Sequence, residues 1–587
     1  MNGETLIALQ EIIATAKGEA DADLLLRNAN IVNVFNGNII RGNVAVKNGI
    51  IAGVGDYTMG AEIVDLAGKF LLPGLIDGHI HIESSMLTPA AFAAAALPHG
   101  TTAVVADPHE IANVAGLEGL RFMVENSKEL PLDFYYTIPS CVPASPLETA
   151  GAIIGPSDVS QAIKLFSSSP ALGELMNYPG VLAKDEAVLA KILMARDAGL
   201  RVDGHAPLLQ GRKLNAYIAA GVTSDHECST VEEAREKLSL GMAVLIREGS
   251  AAKNLLDLLP VVDENTFTST FFCSDDRHPA DLLTEGGMDN ILRRAVAAGL
   301  EPVRAVQMAT INTARHYSFS GRGGVAPGYK ADLVVVDNLN EITIQMVFKD
   351  GRLVACNGEL VVKITSSYPE QWLRESVHLP DLQGRLLPVK EPSKQAKAKV
   401  ITIKPGQLLT GMQHLTAGEI EEAGDIARVA VVERHGKNGN VTTGFVRGFG
   451  PIRGALASTV AHDSHNLIVV GSNDKEMELA AKTLAEKGGG LVVVAAGGQV
   501  EAVLPLPVAG IMSDQDAASV AHVHSSLCKA ARKIGCTIPQ PFMSLSFLAL
   551  PVIPELKITD QGLVDVNRFA IVNLWEAGIE EVGNETI

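Results

Sequence analysis

Between Phe70 and about Tyr317, short apolar runs alternate with amphipathic stretches at a spacing of about 20 to 40 residues, the rhythm of strands and helices on a parallel sheet. The runs are "FLLPGLIDGHIH", "TTAVVAD", "DFYYTIPS", "ALGELMNY", "LRVDGHAP", "GVTSDHE", "MAVLIRE" and "TFFCSDD". Eight such units in about 250 residues predict a closed, TIM-like (β/α)8 barrel. The stretch "DEAVLAKILMARDAG" shows the intervening pattern. Val188, Leu189, Ile192, Leu193 and Ala195 gather on one face, while Lys184, Asp185, Lys191 and Arg196 lie mainly off it, as a helix covering a sheet requires.

The flanks have a different texture. From Asp23 to Gly68, β-branched residues alternate with Asn-Gly and Gly turns, which predicts a small hairpin-rich β unit. After "GRGGVAPGYK", whose glycines serve turn geometry, the β pattern returns in "ADLVVVD", "ITIQMVFKDG" and "RLVACNGEL". The chain is therefore expected to revisit its first unit and complete a β-sandwich split by the barrel. "LPVKEPSKQAKAK" reads as a linker, and beyond about Val400 a separate unit has its own strands and helices. The expected organisation is α/β: residues 1–69 and 321–378 form the split sandwich, 70–320 the barrel, 379–399 a linker and 400–587 an additional α/β domain.

Composition narrows the partners. With 48 basic and 67 acidic residues the net charge is −19, and no Lys/Arg block stands out, which argues against a nucleic-acid backbone as partner. Six cysteines without a C-x-x-C pair disfavour a disulfide framework and a thiolate zinc site, and suit a reducing cytoplasm. No signal peptide and no run of about 18 apolar residues is evident, so no membrane association is expected.

The chemistry gathers where the runs end, the face on which barrel enzymes build their sites. The first run ends in His79 and His81, the second in Asp107, His109 and Glu110; the fourth contains Glu174; the fifth ends in His205, the sixth in Asp225, His226 and Glu227, the eighth in Asp275 and Asp276. Residues two apart on a strand point the same way, so His79 and His81 can serve one ion, with Glu83 in phase if the strand persists. Imidazoles and carboxylates without thiolates suit manganese, iron or zinc, and six of them exceed one tetrahedral site. Two adjacent cations bridged by Glu174 are therefore expected, sharing a water that they acidify to hydroxide, with Asp275 as the base for its remaining proton.

The order His79-x-His81, Glu174, His205, His226 and Asp275 resembles the metal ligands of the amidohydrolase superfamily. More narrowly, "PGLIDGHIHIESSMLTP", "ADPHEIANVAG", "DGHAP", "SDHE", "CSDDRHP", "TVAHDSHN" and "PFMSLSFLALPVIPELKITD" look like the bacterial adenine deaminases, over nearly the whole chain. That resemblance implies hydrolysis of adenine to hypoxanthine and ammonia in purine salvage, with two divalent ions, manganese or iron ahead of zinc. It implies attack at C6 with Asp275 passing a proton to the departing amine. Another amidohydrolase acting on a cyclic amide or a different heterocycle is the alternative, and a non-catalytic oligomeric scaffold the alternative of another class. A homo-oligomer is expected, of open subunit number.

The acid that protonates the ring is open among Glu83, His109, Glu110 and Glu227, with Glu227 and His109 ahead. Glu83, Asp107, Glu110 and Asp276 are candidate substrate contacts. Asp107, His109 and Glu110 could instead cap the helix starting near Ile111. Asp276 could form a pair with Arg277 instead. In "AHDSHN", the residues His462, Asp463 and His465 read as a turn or domain interface ahead of a second metal motif. The C-terminal "EKGGGLVVVAAGG" lacks a G-x-G-x-x-G fingerprint, so no dinucleotide site is expected.

Overall fold

Each of the eight apolar runs contributes a strand to a parallel barrel in the computed structural model, which describes residues 3–250, 252–365, 371–393, 395–404 and 407–576. The barrel strands are β1 (Leu75–Ile80), β2 (Thr101–Ala106), β3 (Asp133–Tyr136), β4 (Ala171–Leu175), β5 (Arg201–Gly204), β6 (Ser224–Asp225), β7 (Ala243–Arg247) and β8 (Thr270–Cys273). Parallel ladders join β1–β2–β3, β4–β5 and β6–β7–β8. Three local links close the ring. Ile138 bridges to Leu172, the Thr223 amide donates to the Val202 carbonyl at 2.8 Å, and Asp275 N–H donates to His79 O at 3.0 Å.

The strands are buried along their length because helices cover one side and side chains fill the other. Val105, Ala171, Ala243, Leu245, Phe271 and Cys273 pack with Tyr317 in one such cluster. Each fully buried Val, Leu or Phe there contributes about 1.5–3 kcal/mol. Helix Glu186–Asp197 follows the predicted pattern, starting at the Asp185 cap, whose carboxylate accepts from Val188 N–H, and burying Val188, Ile192 and Ala195. Leu193, expected on the same face, is 55% exposed, since it lies about 100° round the helix from Ile192.

The first run holds two strands rather than one. Phe70–Pro73 belongs to a nine-stranded sheet, where it pairs antiparallel with Leu333–Val336 and parallel with Ala22–Asn33, and β1 starts only after Gly74. A Cβ at Gly74 would lie 2.1 Å from Thr102 Oγ1, so the chain passes from sheet to barrel through a position without space for a side chain. That sheet unites strands from before and after the barrel. Leu24, Leu26, Ile31, Val44, Leu71, Leu333, Val335 and Phe348 form its core.

By its contacts the chain divides into two compact units. The first comprises Met1–Pro108, Arg121–Ser140 and Gly155–Ser367; the second comprises His109–Leu120, Cys141–Ile154 and Tyr368–Ile587. The second is built on another nine-stranded sheet, ordered from Thr410–Thr416 through Lys397–Ile403, Val441–Arg447, Ile426–Val432, Leu467–Gly471, Gly454–Ser458 and Gly490–Ala495 to Gln499–Pro505, with Trp575–Glu576 beside Lys397–Ile403. Helix Asp474–Glu486 lays Met477, Ala480, Ala481 and Leu484 on it. Leu382 and Leu386, within the stretch expected as a linker, are buried in that core, and strand Lys397–Ile403 begins before residue 400.

Two short stretches that precede and follow β3 in sequence are part of the second unit. Asn466 Nδ2 donates to Thr149 O at 2.8 Å, Thr149 N–H to Asp560 at 2.8 Å, and Thr559 Oγ1 to Leu147 O at 2.6 Å. No helix among the described residues is long and apolar enough to cross a membrane.

Candidate active site

The site in the first unit is assembled at the C-terminal ends of β1, β4, β5, β6 and β8. His79 lies on β1; His81 sits one step beyond its end, still extended at φ −103° and ψ 103°. The strand does not persist to Glu83, because a 3-10 turn spans Ile82–Ser85. The alternation argument for Glu83 therefore fails, although the side chain is buried. Asp275 follows β8 with a left-handed φ of 57°, one position past Ser274, whose amide and hydroxyl both bond to Asp77. That anchoring lets Asp275 turn inward.

Glu174 organises the cluster by presenting one oxygen to each pair of imidazoles. Oε1 lies 3.2 Å from His81 Nε2 and 4.0 Å from His79 Nε2, while Oε2 lies 2.5 Å from His205 Nδ1 and 3.2 Å from His226 Nε2. Asp275 Oδ1 is 3.2 Å from His81 Nε2 and 3.8 Å from His79 Nε2, and the two Nε2 atoms are 3.2 Å apart. All six predicted ligands thus converge, and each is buried. His79, His81 and Glu174 form one group able to hold a metal ion; Glu174, His205 and His226 form another.

The hydrogen-bond pattern tests whether cations fit. His81 Nδ1 lies 3.0 Å from the Asp107 carbonyl, which accepts only, so Nδ1 carries the proton and Nε2 directs a lone pair at two carboxylate oxygens. Lone pairs facing carboxylates need a positive charge between them. Burial opposes a charge on His81, but bonds to Asp275 and Glu174 hold its pKa well above the ordinary range. Burial and the neighbouring His226 and His81 push His79 down to about 3. That charge falls on His81 as a proton while His79 stays neutral, and the donor set suits divalent ions in the proton's place.

Asp107 serves this frame. Its Oδ2 accepts the backbone N–H of Glu174 at 2.8 Å, and a Cβ at Gly173 would lie 2.2 Å from that oxygen, so only glycine allows the approach. Asp276 Oδ1 accepts from Ser84 Oγ at 2.5 Å, tying the turns after β1 and β8. Arg277 bonds to Glu285 and to the carbonyl of Gly286; these are partners other than Asp276.

Glu227 and Arg247 complete the site, and Arg247 is absent from the sequence-based set. It ends β7, buried, with Nη1 bonded to Glu227 and, at 2.6 Å, to Asp275 Oδ2; Nη2 reaches Glu227 Oε2 at 3.1 Å. Its signal was visible in the seventh run, "MAVLIRE", where an apolar strand ends in Arg247 followed by Glu248. Burial raises the pKa of both carboxylates, but the guanidinium outweighs it and holds them ionised. Replacing Arg247 by methionine removes that positive charge. The acidic limb of the kcat/KM profile for the metal-loaded protein is then expected to move up by about one pH unit. An unmoved limb would assign it to other groups.

His109 and Glu110 belong to the second unit. Glu110 accepts from His462 Nδ1 at 2.5 Å through Oε1 and from His465 Nε2 through Oε2, all three residues being buried. Ala461 N–H donates to His465 Nδ1 at 3.1 Å, which places the ring's proton on Nε2, facing Glu110. These groups could be read as metal ligands, but that proton makes them a hydrogen-bonded clamp on a carboxylate. His109 Nε2 lies 3.6 Å from Glu110 Oε1 and 3.8 Å from Asp463 Oδ2.

Comparison with known proteins agrees with this geometry. Residues 70–354 match the amidohydrolase family and residues 409–570 the adenine deaminase C-terminal domain. The chain is 47% identical over 572 residues to an adenine deaminase of Dehalococcoides mccartyi, covering 96% of this chain and 99% of that one. It is 47% identical over 574 residues to one of Desulfatibacillum aliphaticivorans, with the same coverage. For one of Kosmotoga olearia the figures are 46% identity over 574 residues, covering 96% and 98%. Identity at this level along both units, together with a converged ligand set, shows that the chain belongs to the adenine deaminase family.

Proposed function

We infer that this protein hydrolyses adenine to hypoxanthine and ammonia, acting on the free base in purine salvage. The observation that carries the reading is Glu174, whose two oxygens each face a separate pair of imidazoles. Two divalent ions, manganese or iron ahead of zinc, supply a nucleophile from water at neutral pH when bound there. His79, His81, Glu174 and Asp275 would hold one, and Glu174, His205 and His226 the other.

The protein's own groups move the protons. Asp275, with Oδ2 fixed by Arg247, offers Oδ1 to the space between the imidazoles, takes the nucleophile's proton there and passes it to the amine. The C6–O bond forms, the ring nitrogen beside C6 gains a proton, and the C6–N bond breaks to release ammonia. Glu227 is 3.5 Å from His226 Nε2 and, with His205, the most exposed member of the cluster, which favours it for meeting the ring. Because Arg247 keeps it ionised, Glu227 relays a proton from water rather than holding one in reserve. Glu83, Asp107 and Asp276 remain candidate substrate contacts, with Asp107 favoured as a support for Glu174, whereas both oxygens of Glu110 are taken by His462 and His465. A cytoplasmic homo-oligomer is the setting we assign to it.

The test is ammonia release from adenine, adenosine and cytosine by metal-reconstituted protein. Adenine is expected to be the preferred substrate by at least about tenfold in kcat/KM. Release from adenosine but not adenine would overturn the substrate.

A further inference from the structure

The helices after β5 and β6 send buried polar side chains back beneath the ligands, Tyr217 from the first and Glu233 and Lys237 from the second. Tyr217, on helix Gly211–Ala219, donates its hydroxyl to Leu175 O at 2.8 Å and accepts from His205 N–H at 3.2 Å. It therefore joins the residue after Glu174 to the amide of His205. A Cβ at Gly204 would lie 2.3 Å from Ser224 O and 3.1 Å from the Tyr217 hydroxyl, which shows how closely β5 and β6 approach there.

Lys237, on helix Val231–Ser239, is fully buried and uses all three ammonium protons. They go to Asp225 Oδ2 at 2.8 Å, Glu233 Oε1 at 2.7 Å and Ala206 O at 2.9 Å. Asp225 in turn accepts from Ala206 N–H at 2.7 Å and Glu227 N–H at 3.2 Å, and Glu233 from Leu208 N–H at 2.8 Å and Ser229 N–H at 3.1 Å. Both backbone groups of Ala206, next to His205, and the amide after His226 are thus fixed by one charge cluster. A buried lysine with two carboxylates is costly to assemble and adds little net stability over apolar packing, so positional precision is the better account of it.

We propose that Tyr217 and Lys237 are positioning residues for one cation of the pair. They set the placement of His205 and His226 against Glu174, whose amide Asp107 holds; the His79–His81 side rests on the Asp107 carbonyl and on Asp77. The inference rests on the metal reading of the cluster. Partners behind metal ligands typically change affinity by about 10- to 100-fold, and here the change falls on one site of two.

The experiment titrates manganese into apo-protein, follows free ion, and records the visible spectrum of the cobalt-loaded form, for wild type, Y217F and K237M. Wild type is expected to bind two ions tightly. Y217F, which keeps the ring and loses only the hydroxyl, is expected to bind one ion as wild type does and the second about tenfold more weakly, with altered cobalt bands. K237M is expected to weaken the second by up to about 100-fold. KM for adenine is expected within about twofold of wild type at saturating metal, with the loss in kcat. Wild-type affinity at both sites and an unchanged cobalt spectrum in Y217F would overturn the proposal, whatever its thermal stability. Should K237M fail to fold, the Y217F titration decides alone. A wild type that binds no pair of ions would instead overturn the metal reading itself.

Discussion

Asparagine at position 275 is expected to lower kcat for adenine by about 10^3- to 10^4-fold at saturating metal. The two oxygens of Asp275 have different duties. Oδ1 faces His81 and His79 within 3.2 and 3.8 Å, and Oδ2 is fixed by Arg247 at 2.6 Å. Asparagine keeps the volume but can accept no proton, and its amide nitrogen meets either the guanidinium, as one donor facing another, or the space between the imidazoles, where it offers a metal no lone pair. Steady-state ammonia release, with metal content measured on the same sample, checks this. A D275N enzyme within tenfold of wild type would remove Asp275 from the proton transfer.

Glutamine at position 174 is expected to do more. The carboxylate gives one oxygen to each imidazole pair, and an amide has a single carbonyl oxygen to divide between them. Bound metal is expected to fall from two ions to one or fewer, with affinity for at least one site down by more than about 100-fold and turnover by more than about 10^3-fold. Burial opposes the ionisation of Glu174, but the surrounding imidazoles win and hold its pKa well below the ordinary range. The charge that E174Q deletes is therefore present across the working pH range. Metal analysis after gel filtration reads the result, and two ions retained in E174Q would show that Glu174 does not bridge.

The barrel was legible because its evidence is local. Each strand is an apolar run whose buried length shows in a few residues, and the ligands lie at the ends of five of them, β1, β4, β5, β6 and β8. His79, His81, Glu174, His205, His226 and Asp275 could be found without knowing which strands are neighbours. What escaped depends on pairing across the chain or on small changes of backbone. Glu83 lost its phase to a 3-10 turn that no hydrophobic periodicity marks. Arg247 ends the one late run that offered no ligand, and its importance comes from Glu227 and Asp275, 20 and 28 residues away. Tyr217 and Lys237 lie on amphipathic helices, where polar residues are expected to face water. Nothing near Glu110 announces that its partners are His462 and His465, more than 350 residues later.

The second unit draws on three separate stretches of chain, and this limits how it can be exchanged. A cassette cut at Val400 and moved between relatives would carry His462, His465 and Asn466 away from Glu110 and Thr149, leaving buried imidazoles, an amide and a carboxylate without their partners. Chimaeras at this level of identity keep their partners only if residues 109–120 and 141–154 travel with the tail. Inheritance of the barrel and of the appended fold is thereby tied together, so that neither can drift freely without the other.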